Sequence, residues 1–123
     1  MTNTLASIAV VDDDDSVRSG LRQLLRAAEF DVLTFASAEE FLASSARETA
    51  GCLIVDINLP GMSGVGLVQE LAAAGVHVPA VLITARDDAA TLELIRRAGP
   101  VPHLRKPFSG GELFDAIDRA MHA

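Results

Sequence analysis

Apolar residues fall into two patterns along this chain: short unbroken runs, and stretches where they recur every three or four positions. The runs read as strands buried on both faces, and the recurrences as helices with one buried stripe. Ser7-Ile8-Ala9-Val10-Val11 is the first run, and it ends abruptly at Asp12. Val17, Leu21, Leu24, Leu25 and Ala28 then mark a helix with Asp14 or Asp15 as its cap, and Arg18, Arg22 and Arg26 on its other faces. Asp31 to Phe35 is a less buried strand, and Ala38, Phe41 and Leu42 follow a Ser37 cap as a short helix. The central run, Cys52 to Val55, is bounded by Gly51 and by the turn cluster Pro60-Gly61-Met62-Ser63-Gly64, and it stops at Asp56.

The same alternation continues to the end. Ser63 or Gly64 opens a helix carrying Leu67, Val68, Leu71 and Ala72, which Gly75 closes. Pro79 to Ile83 forms a strand ending at Thr84, and Asp87 or Asp88 caps a helix with Leu92, Ile95 and Ala98 expected inward. Pro100-Val101-Pro102-His103-Leu104 contains two prolines, which cannot donate to a ladder, so this strand must be short and at an edge. A last helix follows Ser109, with Leu113, Phe114, Ile117 and Met121 expected inward. Strand and helix alternate five times, which requires crossover connections and a parallel sheet covered on both faces. The expected fold is an α/β single domain over residues 1–123.

Composition narrows the function. The chain has 123 residues, half of them hydrophobic, but no apolar segment approaches the roughly 20 residues that span a bilayer. Residues 1–4 lack the basic and apolar regions of a signal peptide, and the lone Cys52 excludes a disulfide framework, so a cytoplasmic location is expected. A net charge of −7 argues against direct nucleic-acid binding by phosphate neutralisation. His77 and His122 read as surface residues, and the spacing of Gly61, Gly64 and Gly66 is not a dinucleotide fingerprint.

In an open parallel sheet the chemistry lies at the carboxyl ends of the strands. There the sequence places Asp12 and Asp13 after the first strand, Asp56 after the third, Thr84 after the fourth and Lys106 after the fifth. A run of four aspartates is ordinarily a solvated patch or helix start, and Asp14 and Asp15 fit that description. Asp12 and Asp13 follow a buried strand directly. Three carboxylates at one rim repel, so at least one should have a raised pKa unless a cation is held there. Oxygen ligands without His or Cys favour Mg²⁺, commonly in the company of a phosphate. A carboxylate can attack a phosphoryl group to form an acyl phosphate, with an ammonium and a hydroxyl serving its oxygens. Asp56 is the candidate nucleophile.

The segments VVDDDDSVR (10–18), IVDINLPGMSG (54–64), LITA (82–85) and RKPF (105–108) resemble, in order, the receiver domains of two-component response regulators, and the resemblance implies a flavodoxin-like sheet of strand order 2-1-3-4-5. TFASAEEFL (34–42) is similar to the FixJ-like branch, whose members usually carry a DNA-binding output domain. The resemblance implies that Asp56 accepts phosphate from a phosphohistidine on a sensor histidine kinase or phosphotransfer protein. It implies that Asp13 ligates Mg²⁺ directly, Asp12 mainly through water, and Asn58 through its backbone carbonyl. Thr84 and Lys106 would contact phosphoryl oxygens, and the Lys106-Pro107 bond would be cis. Asn58 and Arg86 would flank the phosphate and tune hydrolysis. His103 stands where the family usually has a Tyr or Phe that turns inward as Thr84 moves, repacking a surface of the fourth helix, fifth strand and fifth helix. That surface would meet a downstream partner, an output domain in a longer chain, or a second copy in a homodimer. Two other readings remain open: a small Mg²⁺-dependent aspartyl-phosphate phosphatase, disfavoured because Asn58 stands where a second acid is needed, and a pseudo-receiver acting only by protein contacts.

Overall fold

The apolar runs form five strands, β1 (Ser7–Val11), β2 (Asp31–Phe35), β3 (Ala50–Asp56), β4 (Ala80–Thr84) and β5 (His103–Arg105). They are seen in a computed structural model that describes residues 7–122, so the reading of residues 1–4 lies outside the described residues. The helices are α1 (Asp15–Ala27), α2 (Ala38–Ala43), α3 (Ala46–Thr49), α4 (Gly64–Ala73), α5 (Ala89–Ala98) and α6 (Gly110–Met121). The sheet order is β2-β1-β3-β4-β5 and every pairing is parallel. This is the expected flavodoxin-like α/β topology, with its reversal of strand order between β1 and β3.

Alternation along each strand divides the core into two layers. Ala9, Val11, Leu53, Val55 and Leu82 face α2, α4 and α5, where Phe41, Leu67 and Leu71 cover them. Ile8, Val10, Cys52, Ile54, Val81 and Ile83 face α1 and α6, under Leu21, Leu25, Leu113 and Ile117. Side-chain caps set the helix starts. Asp14, not Asp15, caps α1; Ser37, Ser63, Asp88 and Ser109 cap α2, α4, α5 and α6. At Ser109 the cap is reciprocal, because Glu112 returns a carboxylate to the Ser109 N–H.

Four details differ from expectation. A single extra turn, α3, lies between α2 and β3, so the expected fourth and fifth helices are α5 and α6. In α5, Ile95 and Ala98 face inward as expected, joined by Thr91 and Leu94, while Leu92 is 55% exposed. The inward set Leu92, Ile95, Ala98 steps by three residues each time and drifts off one face of a helix turning every 3.6; the observed set steps three, then one, then three. Met121 and Ala28 are also exposed, since both stand at helix ends beyond the last turn that the sheet covers. Strand β5 begins only at His103, because Pro102 has no N–H to donate; its carbonyl still accepts from the Leu82 N–H at 2.9 Å, holding β5 to the edge.

One glycine is fixed by the approach of α4 to the end of β3. A Cβ on Gly64 would stand 2.3 Å from the Asp56 carbonyl oxygen and 2.9 Å from its carbon. Both are backbone atoms and cannot swing aside. Gly64→Ala is therefore expected to destabilise the fold by about 2 kcal/mol or more and to displace Asp56. Urea denaturation beside a measurement of Asp56 reactivity checks this, and wild-type behaviour in both would contradict the close approach.

Candidate functional site

Asp12, Asp13, Asp56, Thr84 and Lys106 all come from the carboxyl ends of the strands, and the structure gathers them at the crevice where the strand order reverses. The Asp12 N–H extends the sheet by bonding the Phe35 carbonyl at 3.1 Å, so the chain is still extended there. Consecutive side chains of an extended chain point apart. Asp12 is accordingly buried and Asp13 exposed. Asp56 is the last residue of β3, opposite Ile83, with its side chain 9% exposed. Lys106 is positioned by its own N–H, which bonds the Thr84 carbonyl at 2.8 Å. The Lys106-Pro107 bond is cis, as expected.

The Lys106 Nζ bridges the two buried carboxylates, 2.8 Å from Asp12 Oδ2 and 3.0 Å from Asp56 Oδ2. Asp56 Oδ1 accepts the Asn58 N–H at 2.8 Å, so both oxygens of Asp56 are engaged and its plane is fixed. Asp12 Oδ1 accepts the Asp14 N–H at 2.9 Å. Burial raises the Asp12 pKa above 3.8, with a smaller contribution from the Asp56 charge, against the lowering effects of Lys106 and the Asp14 N–H. For Lys106, burial works against the charge, but hydrogen bonds and attraction from Asp12 and Asp56 prevail and raise its pKa. The expected strain between carboxylates is thus real but falls on Asp12, and desolvation outranks repulsion as its cause.

Carboxylate oxygens of Asp12, Asp13 and Asp56 lie within 4.8 Å of one another. The donor set is all hard oxygen, and Lys106 leaves the buried pair one positive charge short. The residues therefore fit a small divalent cation.

Thr84 is 2% exposed. Its hydroxyl donates to Asn58 Oδ1 at 2.6 Å and accepts the Arg86 N–H at 3.0 Å. The Asn58 Nδ2 in turn donates to Thr91 Oγ1, across to α5, at 3.3 Å. Sequence reasoning missed Thr91, whose only signal was a polar residue inside the true buried stripe of α5. It also missed Arg18, whose Nη1 donates to the Asp12 carbonyl at 2.6 Å while its guanidinium pairs with Asp15. Glu39 was missed too; its Oε2 accepts the Met62 N–H at 3.1 Å and braces the loop after Asp56, where Gly61 has φ +75°. The Arg86 guanidinium pairs with Asp88 at 2.7 Å. His103 is exposed on β5, in register with Leu82. His77 and His122 are exposed and Cys52 is buried, as expected. Among the described residues, no helix is long and apolar enough to cross a membrane.

Comparison with known proteins agrees with this geometry. Nodulation protein W of Bradyrhizobium diazoefficiens is 38% identical over 115 residues, covering 94% of this chain and 51% of that protein. The transcriptional regulatory protein FixJ of Rhizobium meliloti is 34% identical over 114 residues, covering 93% of this chain and 56% of that protein. The chain spans about half the length of these curated relatives. Among solved structures, FixJ-N superposes with a TM-score of 0.85 at 33% identity, covering 99% of this chain and 96% of that one. The response regulator StyR gives 0.82 at 41% identity, covering 97% of this chain and 60% of that one. The response regulator receiver domain model matches residues 8–118. With the acidic crevice, the bridging lysine and the β2-β1-β3-β4-β5 sheet all in register with that match, the chain belongs to the response regulator receiver domain family.

Proposed function

We propose that this domain relays a signal by accepting a phosphoryl group on Asp56. The observation that carries the reading is the Lys106 bridge between Asp12 and Asp56, which holds a reactive carboxylate at the mouth of a site lined by oxygen donors. Asp12, Asp13 and the Asn58 backbone carbonyl, with Asp56 itself, would hold Mg²⁺. When bound, that ion supplies positive charge to the oxygens of the transferred phosphoryl group.

The remaining chemistry belongs to side chains. An Asp56 oxygen forms the new O–P bond while the N–P bond of a phosphohistidine breaks, its electron pair remaining on the imidazole nitrogen, which takes a proton. Lys106 Nζ follows the negative charge from the carboxylate to a phosphoryl oxygen. The Thr84 hydroxyl donates to a second oxygen. A receiver domain catalyses only this transfer and the later hydrolysis of its own acyl phosphate. Phosphorylation then biases a two-state equilibrium of the face formed by α5, β5 and α6, where Leu92 and His103 are exposed. His103 is the candidate switch ring there, in its outward orientation. The partners implied are a sensor histidine kinase or phosphotransfer protein on the input side, and on the output side a downstream protein, an output domain or a second copy meeting the α5-β5-α6 face.

Intact mass after incubation with acetyl phosphate and Mg²⁺ tests the reading. One phosphoryl adduct is expected in wild type, and none in Asp56→Asn or without divalent cation. An adduct that forms regardless of either would remove Asp56 from its role. No adduct, together with no Mg²⁺ binding, would favour the pseudo-receiver.

A further inference from the structure

Thr84 has one hydroxyl proton. In this structure it goes to Asn58 Oδ1 at 2.6 Å, with the Arg86 carbonyl a longer alternative at 3.4 Å. In a phosphorylated site that same proton is needed by a phosphoryl oxygen, and it cannot serve both. The bond to Asn58 therefore competes with activation. Its strength depends on how firmly the Asn58 amide is held.

What holds the amide is Thr91. The Asn58 Nδ2 donates to Thr91 Oγ1 at 3.3 Å, and Thr91 is 1% exposed in the first turn of α5. The Thr91 N–H is itself taken by the Asp88 cap at 3.4 Å, so the residue is tied to the start of the helix. Among the described residues no buried side-chain nitrogen or oxygen lacks a partner, so the chain of bonds is complete as it stands. Removing the Thr91 hydroxyl leaves a half-buried amide N–H without an acceptor while Asn58 stays turned towards Thr84. Once Thr84 has turned away, the amide is free to reorient, and the loss weighs less.

We infer that Thr91 is a positioning residue for Thr84, acting through the Asn58 side chain: the Thr84-Asn58-Thr91 chain holds the Thr84 hydroxyl in its resting orientation and so sets how readily the site takes a phosphoryl group. The inference rests on the phosphoacceptor reading of Asp56. It also links α5 to the acidic crevice by hydrogen bonds, so a partner that shifts the start of α5 alters Thr84 directly.

Titration with beryllofluoride, a phosphoryl mimic, in the presence of Mg²⁺ and followed by NMR, tests this. Thr91→Val keeps the side-chain volume and removes the acceptor. It should bind about three- to tenfold more tightly than wild type, the equivalent of one hydrogen bond. Thr91→Ser restores the hydroxyl and should return the midpoint to the wild-type value. In an Asn58→Ala background Thr91→Val should change nothing further, because its route to Thr84 is gone. Thr91→Ala removes the same acceptor and serves if the valine variant does not fold. Wild-type affinity in Thr91→Val, failure of serine to restore it, or an undiminished effect without the Asn58 amide would each overturn the inference. A wild-type protein that binds beryllofluoride no better than Asp56→Asn would instead overturn the phosphoacceptor reading, and the inference with it.

Discussion

Asp12→Asn is expected to stabilise the metal-free protein at neutral pH while weakening Mg²⁺ binding at least tenfold. Asp12, Asp56 and Lys106 form a buried cluster with two negative charges and one positive. Asparagine neutralises one carboxylate, keeps an oxygen for the Lys106 ammonium, and leaves the Lys106-Asp56 pair balanced. Removing an undercompensated buried charge should gain about 1 kcal/mol. The pH dependence fixes the sign. The folded pKa of Asp12 is raised above 3.8, chiefly by burial. Below 3.8 the proton is bound in both folded and unfolded states, and stability is full. As pH climbs from there through the folded pKa, the unfolded chain releases its proton first and stability is lost. Wild-type and variant curves should therefore run parallel in acid and separate as pH rises through that window, the variant remaining higher. A variant that is less stable than wild type at neutral pH and binds Mg²⁺ unchanged would contradict the charge count.

Lys106→Met acts in the opposite direction. It leaves Asp12 and Asp56 facing each other with no internal counterion. Breaking a buried pair by deleting one partner commonly costs 3–5 kcal/mol; with the Lys106 side chain 19% exposed and protonation of one acid available as an escape, about 2 kcal/mol is expected here. Lowering the pH should restore much of it. Mg²⁺ should raise the Tm of this variant more than that of wild type, since the cation then replaces the missing charge rather than displacing an ammonium already there. Acyl phosphate formation should fall about 100-fold, because the donor that follows the charge onto the phosphoryl group is gone. Thermal melting with and without Mg²⁺ checks the first part; an equal gain in both proteins would show that Lys106 and the cation serve different places.

The elements that were legible are those whose signal is local. Each buried strand is a run of β-branched and aliphatic residues, and β1 and β3 are stopped by a carboxylate, so Val11-Asp12 and Val55-Asp56 marked both the strand ends and the site. Helix starts were legible to within a residue because Asp14, Ser63, Asp88 and Ser109 are small capping side chains ahead of an apolar stripe. The single turn α3 was not legible: Ala46 to Thr49 is too short for any periodicity. On α5, Ile95 and Ala98 were read correctly but Leu92 was not, because it outweighs Thr91 on hydrophobicity, although only Thr91 continues the stripe of Leu94, Ile95 and Ala98. That error hid the bond between Asn58 and Thr91, which joins residues 33 apart in sequence. Nor did the hydrophobic pattern separate Asp12 from Asp13, which only the family resemblance told apart, since their difference in the structure is one of burial, set by how far the sheet extends past Val11.

The central claim is that Asp56, among the three clustered aspartates, becomes the acyl phosphate. Borohydride reduces an acyl phosphate of aspartate to homoserine, which survives proteolysis and can be placed by peptide mass mapping. After incubation with acetyl phosphate and Mg²⁺, homoserine is expected at position 56 alone, with Asp12 and Asp13 recovered unchanged. Reduction at Asp12 or Asp13, or an adduct that borohydride leaves intact, would contradict the account.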